Sequence, residues 1–167
     1  MLDFGKVLTD GALITLLFAL YLLGIIRFAP RLFLSKKNVP GDILAAVPPR
    51  TPREKKFSLL VGLPLVVLMF ILPVWSAVSF KSQAPGPVSF GTLYLHILLI
   101  VMMVNLFDLV VLDWLLLNTL TPGFLVYPGT EGLSGYKDKM FHLRAHIKSL
   151  PGLLVGALVI TAIAWII

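Results

Sequence analysis

Four stretches of this chain are each long and apolar enough to cross a lipid bilayer. They run over about residues 11–28, 57–80, 90–117 and 150–167. A helix needs about 18–20 apolar residues to span the hydrocarbon core, and each stretch reaches that length. None alternates polar with apolar residues as a barrel strand does. Composition agrees, since 58% of the 167 residues are apolar and only 13% are charged. A soluble domain carries about a quarter charged residues, and a core this small cannot hide so much apolar surface from water. The sequence predicts an all-α, integral membrane four-helix bundle, one domain over residues 1–167, with the lipid bilayer as its solvent.

The basic residues give this bundle an orientation. Of 14 Lys and Arg, eight lie between Arg27 and Lys56 and four between Lys137 and Lys148. By the positive-inside rule, the linkers 29–56 and 118–149 face the cytoplasm. An even number of spans then puts both termini on the non-cytoplasmic side of the cell (inner) membrane. The residues ahead of the first stretch include Asp3, Lys6 and Asp10. A cleaved signal peptide needs a basic leader, so this stretch reads as a retained anchor. The net charge of +6 is thereby assigned to anionic lipid at the cytoplasmic face, not to nucleic acid. With no cysteine in the chain, disulfides and thiolate metal sites are excluded.

The third stretch carries the polar residues that most need explaining: His96, Asn105, Asp108 and Asp113. A carboxylate inside a span costs a few kcal/mol and normally faces a cavity or a partner helix. Asn105 and Asp108, three apart, share a helical face. On an α-helix Asp113 points roughly 140° away from Asp108, which predicts separate neighbours and no shared metal. Arg27, at the inner end of the first span, is placed to pair with either acid. Asn105, Asp108 and Asp113 therefore form the expected buried polar site, with Arg27, Tyr127 and Glu131 at its cytoplasmic mouth. His96, alone near the outer end, has no histidine counterpart in another span to suggest a heme.

The second cytoplasmic linker pairs Pro122 with Gly123 and Pro128 with Gly129, a pattern of tight turns. Over residues 136–150, Tyr136, Met140, Leu143, Ile147 and Leu150 recur at helical spacing. This predicts a short interfacial amphipathic helix before the last span, ended by Pro151. Lys137, Lys139, His142, Arg144, His146 and Lys148 would contact lipid headgroups. His142 and His146 are four apart, but no glutamate follows the first, so no zinc-protease motif is present and no metal or cofactor is expected. In the fourth span Gly152 and Gly156 stand four apart, a spacing that permits close helix packing, either on the first span or in a dimer seam. Pro64 and Pro73 predict a kinked second span.

Asp108 through Trp114 (DLVVLDW), Thr121-Pro122, Pro128 through Gly132 and Gly135 through Asp138 together resemble an uncharacterised group of small bacterial four-helix integral membrane proteins. The resemblance covers about a quarter of the chain, and no activity comes with it.

Three readings follow. The first is a transporter-like or accessory subunit, a homo-oligomer or part of a larger membrane complex, with its polar site on the third span. The second is a membrane-bound enzyme acting on a lipid or amphiphile at the cytoplasmic face, with Asp113 and Glu131 as acids and His142 or His146 as base. The third is a scaffold or assembly factor whose polar residues only fix helix register.

Overall fold

The computed structural model describes all residues, Met1 to Ile167; its regular elements are all helices, without any strand. Helix α1 runs Phe4–Phe28, α2 Gly41–Ala46, α3 Pro52–Gln83, α4 Phe90–Phe107 and α5 Lys139–Ile166. Directly after α4 the chain winds as a π-helix over Asp108–Leu120. The α1, α3, α4-plus-π and α5 segments are the four helices long and apolar enough to cross a membrane.

Polar caps set where these helices start. Asp3 Oδ1 accepts from Lys6 N at 2.9 Å, so α1 begins ahead of the apolar run and takes Lys6 and Asp10 into its first turns. Thr51 and Glu54 form a reciprocal capping box: Thr51 N donates to Glu54 Oε2 at 2.7 Å, and Glu54 N donates to Thr51 Oγ1 at 3.2 Å. Pro52 fills the first position, where its missing N–H costs nothing. The helix then continues through Pro64 and Pro73. Only 6% of the most apolar window of α3 is buried, and Leu59, Leu60, Leu63 and Ile71 all lie open. An uncovered apolar face of this size marks a surface for lipid or for another protein.

The expected interfacial helix over 136–150 does not form as a separate element. Asp138 Oδ1 caps the start of α5 through Phe141 N at 2.9 Å, and α5 runs unbroken through Pro151. A proline removes one backbone donor, and α5 continues past that loss. The two histidines also depart from the expected headgroup contact. Met140 and Ile147 of the apolar stripe are 50% and 55% exposed, whereas His142 is 6% exposed. Tyr136 of the same stripe is buried and Leu143 and Leu150 are half-buried, whereas both imidazoles turn inward, so His142 and His146 are not headgroup contacts. Lys137, Lys139, Arg144 and Lys148 stay exposed.

The chain divides into two compact units. The first comprises Met1–Phe18, Leu65–Leu106 and Ser149–Ile167. Its core joins Ala77, Phe80, Leu93, Ile97, Ala157, Ile160 and Ala164, with a second group of Val7, Ile14, Ile100 and Val104. Gly11 lies against Met103, whose Sδ would be 3.1 Å from an added Cβ. Nothing lies within 4 Å of a Cβ built at Gly152 or Gly156. The buried small residues of α5 are instead Ala157, Thr161 and Ala164, so the glycine pair mediates no packing within this chain. Lys81 closes the end of α5, its Nζ donating to the carbonyls of Ala164 and Trp165 at 3.0 and 3.1 Å.

The second unit comprises Ala19–Pro64 and Phe107–Lys148. Here Leu34, Val39 and Ile43 of the first linker pack on Tyr127 and Tyr136 of the second. The Tyr136 hydroxyl accepts from Tyr127 N at 2.9 Å and pairs with Thr130 Oγ1 at 2.8 Å, while Tyr127 donates its hydroxyl to Pro30 O at 3.1 Å. Gly129 and Gly132 take φ values of 82° and 80°, as the tight-turn pattern of this linker requires. Asp42 accepts from Gly135 N at 2.8 Å, which ties the two linkers together.

Candidate functional site

The π-helix decides which side chains meet. In this winding, hydrogen bonds step five residues along the chain instead of four. Thr121 N still bonds Leu116 O at 2.9 Å as the segment ends. Residues five apart therefore come one above the other, as residues four apart do on an α-helix. Asp108 and Asp113 fall on the same side, and the 140° separation expected from α-helical winding does not hold.

Facing them are His142 and His146, one turn apart on α5. Two contacts hold the segments in this register: Trp114 Nε1 donates to Lys139 O at 3.2 Å, and Asn118 Nδ2 donates to Tyr136 O at 2.9 Å. Asp113 Oδ2 then lies 3.1 Å from His142 Nδ1 and 3.1 Å from His146 Nε2. Asp108 Oδ2 lies 3.8 Å from the same His146 nitrogen. One donor atom from each of Asp108, Asp113 and His146 falls within 4.8 Å of the others. The side chains of Asp108 and Asp113 are 25% and 20% exposed and that of His142 8%, so the cluster is largely withdrawn from its surroundings.

Asn105 is half-buried on α4 and belongs to the first unit. Arg27 is exposed, stands over the Phe28 ring at 5.8 Å, and forms no ion pair with either aspartate. Glu131 is exposed and closes its own turn by accepting from Gly129 N at 3.2 Å. Tyr127 is a core residue whose hydroxyl bonds Pro30 O; burial pushes its pKa up to about 12, so it stays a donor. None of Arg27, Tyr127 and Glu131 forms an ion pair with Asp108 or Asp113.

A second polar cluster was missed by the sequence reading. In the first unit, Ser76 Oγ donates to Asp10 Oδ2 at 2.5 Å and pairs with His96 Nε2 at 2.8 Å, while Lys6 Nζ stands 3.0 Å from Asp10 Oδ2. Phe80 stacks on the His96 ring at 4.7 Å. Asp10, Ser76 and His96 come from three helices. The available signal was Asp10 lying in phase with the buried residues Val7 and Ile14 at helical spacing.

The chain matches no family model, no curated protein and no solved structure.

Proposed function

We propose that this chain is an integral membrane protein, transporter-like or accessory in role, that holds a divalent transition-metal ion between Asp108, Asp113 and His146. The observation that carries this reading is the convergence of two carboxylates and an imidazole nitrogen within 4.8 Å on apolar helices. Zinc binds such ligands at about 2.0–2.2 Å, which puts neighbouring donors about 3.3–3.6 Å apart in a tetrahedral site. The separations of 3.1 and 3.8 Å to His146 bracket that value. Charge supports a dication: two carboxylates and a neutral imidazole cancel it, which matters where an uncompensated charge is expensive. An imidazole ligand favours zinc-class ions over magnesium or calcium, which prefer oxygen. His142, bonded through Nδ1 to Asp113, orients that carboxylate as an outer-shell partner does.

The apolar helices support insertion in a membrane, and the count of basic residues supports cytoplasmic linkers with both ends on the opposite face. A second reading rests on the ligand number. Three protein ligands leave a coordination position for water or substrate, as metal-assisted hydrolysis of an amphiphile at the cytoplasmic face would require.

The test is metal retention by the purified protein in lipid nanodiscs after dialysis against zinc, read by mass spectrometry. About one ion per chain is expected, and Asp113→Asn and His146→Gln should lose it while remaining folded. A folded wild type that retains no divalent ion overturns the reading.

A further inference from the structure

The cluster in the first unit shares no residue with the proposed metal centre, and its chemistry differs. Asp10 on α1, Ser76 on α3 and His96 on α4 form a continuous hydrogen-bonded chain. Ser76 and His96 are 0% exposed and Asp10 is 8% exposed. At one end Lys6 pairs with Asp10 and also lines a cavity of about 370 Å³ with Asp3, Phe80 and the turn 83–88. At the other end His96 Nδ1 is buried without any hydrogen-bond partner. Buried ring nitrogens are normally satisfied, and a purely structural tie between three helices has no use for an orphan one.

The order of the groups fixes what the chain can do. Ser76 gives its only proton to Asp10, so with Asp10 ionised it accepts from His96 Nε2–H. That leaves Nδ1 with a free lone pair. We propose that Asp10, Ser76 and His96 form a proton relay between the buried His96 Nδ1 and the cavity lined by Lys6. A proton arriving at Nδ1 makes an imidazolium. The Nε2 proton then passes to the Ser76 oxygen as the Ser76 proton passes to Asp10. His96 is again neutral, now with Nδ1–H, and Asp10 is a carboxylic acid beside Lys6, from which water in the cavity removes the proton. One proton enters at Nδ1 and one leaves from Asp10; His96 ends as the Nδ1–H tautomer, so a flip of the imidazole ring and rotation of the Ser76 hydroxyl restore the starting arrangement before the next proton passes.

The charged groups facing His96 are Asp10, Lys6 and Asp3, all from α1 and the turn before it. From α3 come Ser76 and the stacked Phe80, while Lys81 is engaged with the terminal carbonyls of α5. The residues of α5 in this core, Ala157, Ile160 and Ala164, carry no ionisable group.

The experiment is a pH titration of the full chain in nanodiscs, following the ¹⁵N shifts of His96 and the ¹³C carboxyl shift of Asp10. In the wild type both signals should move at one shared midpoint, and at high pH His96 should hold its proton on Nε2. Ser76→Thr, which keeps the hydroxyl, should preserve the shared midpoint. Ser76→Ala should split it into two, with the His142 and His146 signals unchanged. Independent midpoints in the wild type, or a His96 proton fixed on Nδ1 at all pH values, overturn the relay. Should Ser76→Ala not fold, the wild type and Ser76→Thr decide by the same criterion.

Discussion

Asp108 and Asp113 are five residues apart and reach the same His146 nitrogen, at 3.8 and 3.1 Å. On an α-helix they would diverge; the π-helix brings them together. A π-helix longer than one turn is rare, and such windings collect at functional sites. Here the winding supplies the second carboxylate of the candidate metal centre.

Metal binding at this centre must compete with protons. The ion needs His146 neutral and both acids ionised, so binding releases protons. Affinity for zinc is expected to fall as pH drops from 8 to 6, where an imidazole takes up its proton. Competition titrations with a chelating dye at the two pH values measure it; equal affinity at both would count against imidazole ligation.

His142 holds Asp113 without being one of the three clustered donors. Replacing it with Gln should weaken metal binding by about 10–100-fold, the usual effect of removing an outer-shell partner. Loss of His146, a direct donor, should be more severe. Dissociation constants of the two variants, measured side by side, give the comparison.

Gly135 sits where a side chain has no room. A Cβ there would strike the Asp42 carboxylate and lie 2.8 Å from Pro40 Cβ. Gly135→Ala should cost about 1–3 kcal/mol through overpacking, whereas Gly123→Ala meets nothing within 4 Å and is not expected to suffer a clash. Unfolding midpoints of both variants in the same detergent test the difference.

The bond from Gly135 N–H also makes stability depend on acid. It holds the Asp42 carboxyl below the usual carboxylate range. A lowered folded pKa contributes stability that is complete above the unfolded value, about 4, and is lost as pH falls through the folded value. Wild-type protein should therefore lose stability below about pH 4 more steeply than Asp42→Asn. Melting curves between neutral and acid pH would reveal a common slope if the bond contributes nothing.

Tyr136 and Tyr127 are both buried tyrosines with unequal duties. Tyr136→Phe leaves Tyr127 N–H and Thr130 Oγ1 without that hydroxyl, and an orphaned buried group costs about 1–3 kcal/mol. Tyr127→Phe removes a single bond to Pro30 O. The larger loss of thermal stability is expected for Tyr136→Phe.

The sequence by itself determined the four apolar helices, because hydropathy adds up locally: any 20 such residues need an apolar surrounding whatever their neighbours do. It also marked Asp108 and Asp113 as residues requiring a reason. Tertiary structure decided the rest. Whether a segment winds by four residues or five depends on what it packs against, so Asp113 could not be assigned a face from residues 90–117 alone. His142 and His146 read as surface groups because they fall among the basic residues off the apolar stripe of residues 136–150. His142 is buried instead, and that is visible only once the facing π-helix is present. Asp10, Ser76 and His96 are 66 and 20 residues apart in their successive bonds, and no local pattern can encode a contact between three helices.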